Sequence, residues 1–194
     1  MFSFMKIATF AAIALGTLAS AIPSPAPIPV AESGALVERK AAPTCETVLL
    51  NLTVSLTVPC LELTRLTSKT ATPANVTEIV DEIALLINDT LAVLENVSSL
   101  GSSSLNILKL LATIIELVIS ALGHVFSVCV EKDAIRAILQ ILDSVLASLI
   151  SAVLKLIGGI ISTLIAQLVG LLGSIIQVIL SLKFTACEKV LLLA

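Results

Sequence analysis

Hydrophobic and polar positions follow a helical period over much of the chain. Placed at 100° per residue, Glu78, Asp81, Glu82, Asn88, Asp89, Glu95 and Asn96 fall within an arc of ~140°. Ile79, Val80, Ile83, Leu86, Ile87, Leu91, Leu94 and Val97 fill the opposite side, and Leu85 alone stands on the wrong face. This pattern predicts an amphipathic helix over Ala74–Leu100, ended by Gly101 and three serines. A second helix, Leu105–Val128, has a thinner polar stripe, with an apolar arc of ~260°. A third runs over Ala134–Ile157 with the stripe Arg136, Gln140, Asp143, Ser144, Ala147, Ser151 and Lys155. Gly158-Gly159 breaks the chain, and a fourth, uncharged helix is predicted over Ile160–Leu182.

Residues 47–58 read differently. Leu50, Leu52, Val54, Leu56 and Val58 alternate with Asn51, Thr53, Ser55 and Thr57, which is a strand pattern. The expectation is therefore an all-α chain of about four long helices forming a disulfide-linked bundle, with an extended segment near 47–58. The bundle and its disulfides rest on the cysteines described below.

Composition sharpens this picture. The chain has 194 residues, 57% hydrophobic, 13% charged and 3% aromatic, with no Trp or Tyr. Soluble domains carry ~25% charged residues. A formal charge of −3 weighs against nucleic-acid binding, which needs a basic surface. A single His and no Tyr leave little for acid–base catalysis, and there is no Gly-x-Ser-x-Gly elbow, phosphate loop or metal-ligand spacing. The reading is that of a non-enzyme with no cofactor and no metal. His124 reads as a solvated histidine on a polar stripe, and Asp81-Glu82 as part of a solvated acidic face.

The first residues read as an address. Ile7–Ala19 is an apolar run behind Lys6, and Ala19-Ser20-Ala21 is a small-x-small cleavage site, which predicts a signal peptide over 1–21 cut after Ala21. Residues 22–40 are Pro- and Ala-rich and end in Arg39-Lys40, a dibasic processing site, so this stretch reads as a pro-peptide. The mature chain would start at Ala41. Four cysteines follow: Cys45, Cys60, Cys129 and Cys187. An even count in a secreted chain predicts two disulfides, each joining Cys45 or Cys60 to Cys129 or Cys187. Asn51, Asn75, Asn88 and Asn96 head four N-glycosylation sequons, all between residues 51 and 98.

The mature chain divides in two. Residues 41–104 hold two basic and seven acidic residues and every sequon; residues 105–194 hold six basic and five acidic residues amid Leu, Ile, Val and Ala. The last three helices offer apolar arcs of over 200° each, whereas a bundle helix needs roughly 100°. Three readings compete. A soluble helical bundle that binds lipid is one. A membrane-inserted hairpin is another: Leu156–Leu182 is 27 uncharged residues with a small-residue ladder at Ser162, Ala166, Gly170 and Ser174. Mid-helix charges on the preceding two helices count against it. The third, carried forward, is a secreted amphiphile that assembles with itself or coats hydrophobic surfaces. Its apolar surface is expected around Leu110, Ile114, Leu139, Leu146, Leu164 and Leu171.

The layout of signal, short processed leader, glycan-bearing hydrophilic half and hydrophobic half resembles the secreted non-hydrophobin structural wall proteins of mushroom-forming fungi. Ala41-Ala-Pro-Thr-Cys45 after a dibasic pair is similar to the start of other fungal secreted proteins. Hydrophobins proper are excluded, since they carry eight cysteines with adjacent pairs. The resemblance implies an extracellular role in the cell wall, in aerial hyphae formation and attachment, with the protein itself and wall matrix or hydrophobic surfaces as partners.

Overall fold

Four long helices form, but not the four that the periodicity marks. The computed structural model describes residues 43–193, all within one compact unit, Lys40–Ala194. The expected signal peptide with its cut at Ala21, the expected leader and the Arg39-Lys40 processing site lie outside the described residues. Among the described residues every regular element is a helix: α1 Cys45–Arg65, α2 Pro73–Leu94, α3 Ser104–Val128, α4 Lys132–Ile157, α5 Ile161–Leu171, α6 Ile176–Leu182 and α7 Thr185–Val190.

The segment expected to be extended is the middle of α1. Cys45, Leu49, Leu52, Leu56, Cys60 and Leu63 recur at spacings of three and four and are all buried, so the helical stripe prevails over the alternation. The other apolar residues of the alternating run, Leu50, Val54 and Val58, face outward. Tertiary packing decides which of two compatible periods is realised. Thr44 caps the helix in a reciprocal arrangement with Thr47. Two further N–H groups of its first turn, those of Cys45 and Glu46, donate to the carbonyls of Ser99 and Leu100, both at 2.9 Å.

That contact explains why α2 stops at Leu94 rather than near residue 100. Residues 95–103 cross from α2 to α3 over the start of α1. Gly101 sits there at φ +82°, and a Cβ on it would lie 2.5 Å from the Thr44 hydroxyl, so only glycine closes the crossing. Thr72 with Pro73 starts α2, and Ser103 caps α3.

The four long helices touch in the order α1, α2, α4, α3 and back to α1. Short turns make α1/α2 and α3/α4 antiparallel. The Gly101–Thr44 contact at one end and a His124–Leu66 hydrogen bond at the other make α1 and α3 parallel. The polar first half of the chain thus supplies two walls of one core; the two halves are not segregated in space.

The predicted fourth helix is broken. Its pieces α5 and α6 meet at 95°, with Leu172 and Ile175 of the corner buried. The bend folds both pieces over α3. Gly123 of α3 leaves room for α6: a Cβ there would lie 2.8 Å from Val178 Cγ1. With α1, α4, α5 and α6 against it, α3 buries residues over an arc of ~180°, from Ala121 and Ile114 through Ile107 and Leu108 to Ala112. Its wide apolar arc is what a central helix requires.

Candidate functional site

The apolar surface lies elsewhere than expected. Ile114, Leu139 and Leu146 are fully buried, Leu164 is buried, Leu110 is half-buried, and only Leu171 of the six is exposed. The physical reason is the cover that α5 and α6 give α3, together with the burial of α4 against α2, α3 and α7. The exposed apolar side chains form a different set. On α1, Leu50, Val54, Val58 and Leu61 are 44%, 73%, 63% and 46% exposed. At 100° per residue they fall in an arc of ~80°, opposite the buried stripe. Sequence reasoning missed this stripe because it treated the segment as a strand. The signal was present in the spacing 50, 54, 58, 61.

A second surface belongs to α5 and α6. Ile160, Ile161, Leu171 and Leu180 are exposed there, and the ladder Ser162, Ala166, Gly170 and Ser174 faces outward too. No charged residue occurs from Leu156 to Leu182. A third surface contrasts with both: Glu78, Asp81, Glu82, Asp89 and Glu95 are exposed along α2, with Leu85 among them, as the wheel places it. All four sequon asparagines are exposed, Asn51 on α1, Asn75 and Asn88 on α2, and Asn96 just past α2. Asn51 lies ~20° from Val58 around α1, at the edge of the apolar stripe.

The cysteines are a correction. All four are buried free thiols, and the two expected disulfides are not formed. Cys45 opens α1 at the end where α3 begins, and Cys129 follows α3 at its other end, ~37 Å away along a 25-residue helix. Cys60 lines a groove with Leu117 and Ala121, which leaves ~10 Å of α3 before Cys129. Cys187 N–H is bonded to Asp143, ~16 Å into α4 from the Cys129 turn. Disulfide formation needs Cα atoms within ~7 Å. Burial raises all four thiols above their usual range: Cys60 is pushed up to about 12, and Cys187, beside the Asp143 carboxylate, is raised further. These thiols are inert rather than nucleophilic.

Two polar residues hold structure instead of chemistry. Asp143, read as part of an outer stripe, is buried, and its two oxygens accept the N–H groups of Ala186 and Cys187 at 2.8 Å each. It caps α7 from another helix, because Phe184 at the local cap position offers no acceptor. His124, expected in solvent, is half-buried, with Nε2 3.2 Å from the Leu66 carbonyl at the end of α1. Phe126 is flanked by Lys132 and Arg136, 5.5 and 5.0 Å from its ring centre. No cluster of three or more His, Cys, Asp or Glu side chains suited to a metal occurs among the described residues.

By length and composition alone, α1, α3 and α4 are apolar enough to cross a membrane, and the bent α5–α6 pair would be a fourth if counted as one span. Comparison with protein-family models, with curated proteins and with solved structures finds no match for this chain.

Proposed function

We propose that this chain is a secreted structural protein of the extracellular matrix or cell wall that acts through surface activity. It coats hydrophobic surfaces or assembles with itself, as the resemblance to the wall proteins of mushroom-forming fungi implies. The observation that carries this reading is the stripe Leu50, Val54, Val58 and Leu61, standing outward on α1. The uncharged α5–α6 layer adds a second weakly hydrated surface, while the acidic, sequon-bearing α2 supplies the face that stays in water. Burying a few hundred Å² of apolar surface at ~25 cal/mol per Å² yields several kcal/mol per molecule. That rivals the net stability of a domain, so adsorption competes with staying in solution.

The test is adsorbed mass on a hydrophobic film, with sedimentation to follow oligomer size. Val54→Glu with Val58→Lys places an i,i+4 ion pair on the stripe without touching the core. Adsorption falls several-fold. Ala137→Glu with Gln140→Lys on the exposed side of α4 leaves it unchanged. A wild type that stays monomeric and leaves the film bare overturns the proposal, and recovery solely from detergent-extracted membranes favours the membrane reading.

A further inference from the structure

A groove of about 800 Å³ runs along the outer side of α4, walled by α2 and α7. Its size falls in the range of small-molecule sites, ~300–1,000 Å³. The groove is open because its floor is built from short side chains. Ser144, Ala147, Ser148, Ser151 and Ala152 take positions on α4 where larger residues would fill the space. Leu91 and Leu94 of α2 form one apolar wall and Val190 of α7 the other. From Ser144 to Leu156 the floor runs ~18 Å, the length of a single extended acyl chain.

Charge distinguishes this groove from the other exposed apolar surfaces. Lys155 and Lys189 both line it and both are exposed. The sole ion pair among the described residues is Arg136–Asp133, so neither lysine is neutralised by a carboxylate. Glu95 also lines the groove, which leaves two ammonium groups against one carboxylate. The α7 wall is fixed in place, since the buried Asp143 holds its first N–H groups. A mainly apolar trough ~18 Å long, with two unpaired cations on its rim and a wall held by Asp143, matches an amphiphile with one tail and one small anionic head.

We infer that the α2–α4–α7 groove binds one long-chain fatty acid, its tail along the Ala147–Ala152 floor and its carboxylate between Lys155 and Lys189. This site is separate from the α1 stripe and from the α5–α6 layer, and it does not depend on adsorption.

The experiment is displacement of the fluorescent fatty acid cis-parinaric acid from the full chain by palmitate and by hexadecanol. The wild type binds one equivalent and prefers palmitate. Lys155→Ala with Lys189→Ala weakens palmitate at least tenfold and hexadecanol little. Ser148→Trp and Ser151→Phe each fill the trough and abolish binding of both, with helicity checked by circular dichroism. No saturable binding by the wild type, binding of many equivalents, equal loss of palmitate and hexadecanol in the lysine variant, or binding that survives both filled-trough variants overturns the inference. Film adsorption is measured on the same proteins. Ser148→Trp leaves adsorption intact, and Val54→Glu with Val58→Lys leaves palmitate binding intact, so each idea fails independently of the other.

Discussion

α1 and α3 run side by side in parallel, and their surfaces invert what their sequences suggest. α3 is the more apolar, with a polar stripe so thin that most of it should shun water. It buries most of that surface and leaves Leu105 alone of its large apolar side chains exposed. α1 carries threonines, an asparagine and two glutamates, yet it leaves four aliphatic side chains in solvent. The difference is the number of neighbours. α3 packs against α1, α4, α5 and α6, whereas α1 packs chiefly against α2 and α3. Exposure of apolar surface here is a property of a helix's place in the fold more than of its composition.

The largest effect that would break this comparison is on stability. Ile114 of α3 is fully buried and Val54 of α1 is 73% exposed. Ile114→Ala should destabilise by ~2–5 kcal/mol, through lost transfer energy and the cavity left behind. Val54→Ala should change stability by less than ~0.5 kcal/mol, as for surface substitutions generally. Urea unfolding midpoints at unchanged slope measure both. Equal losses at the two sites would mean that α1 has a covered outer face.

The next effect concerns what encloses α3. Gly123→Ala drives a methyl group into Val178 and should cost ~1–3 kcal/mol by overpacking. Gly170→Ala on α5 meets open space within a helix and should stabilise by ~0.5–1 kcal/mol. A neutral Gly123→Ala would show that α6 does not rest on α3.

The thiols test the inner faces of the two helices. Burial holds Cys60 of α1 protonated up to about 12, while an unfolded chain ionises its thiols from about pH 9. Unfolded molecules therefore release protons that folded ones retain, and stability falls as pH rises through this window. The slope approaches ~1.4 kcal/mol per pH unit for each such thiol. Cys60→Ala should flatten the alkaline limb of a pH–stability curve. Cys129→Ala should flatten it less, since Lys132 near that thiol favours its thiolate. Alkylating reagents at neutral pH should label none of the four until the protein unfolds.

How much of this was legible in the sequence follows from the same contrast. α3 and α4 were readable to within two residues because each has a single apolar period and a clear break, at Ser103 and at Gly158-Gly159. α2 was readable along its face but not at its end, because Glu95, Asn96 and Val97 continue the helical period while the backbone of Ser99 and Leu100 just beyond serves the start of α1. α1 was misread because its outer face is apolar as well. Two apolar stripes on opposite sides of a helix produce the alternation of a strand. The bend between α5 and α6 was hidden by an uncharged run that reads as one span, although Gly170 precedes the corner and Gly173 lies in it. The six surface positions were chosen from arc width, which reports how much surface a helix must hide but not how many neighbours hide it. Cysteine pairing was inferred from an even count in a secreted chain, which does not report that Cys60 lies part-way along α3 and Cys187 part-way along α4 rather than beside Cys129.

The smallest predicted effect acts on the α1 stripe itself. Asn51 is exposed and heads a sequon, and it lies on the same side of α1 as Val58, two turns away, and one residue from Leu50. A glycan attached there would overhang the apolar stripe, whereas one at Asn88 would stand on the acidic face of α2, which is hydrated already. A bulky hydrated group beside a patch of four side chains covers part of its area without removing any residue, and adsorption scales with accessible apolar area. Asn51→Gln in the glycosylated chain should therefore raise adsorbed mass on a hydrophobic film by a modest factor, about twofold if the few hundred Å² of the stripe dominate contact. Asn88→Gln should leave adsorption within error. Enzymatic removal of all glycans should reproduce the Asn51→Gln value and add little to it. If Asn88→Gln raises adsorption as much as Asn51→Gln does, general hydration of the molecule governs its surface activity. The stripe on α1 would then lose its special place.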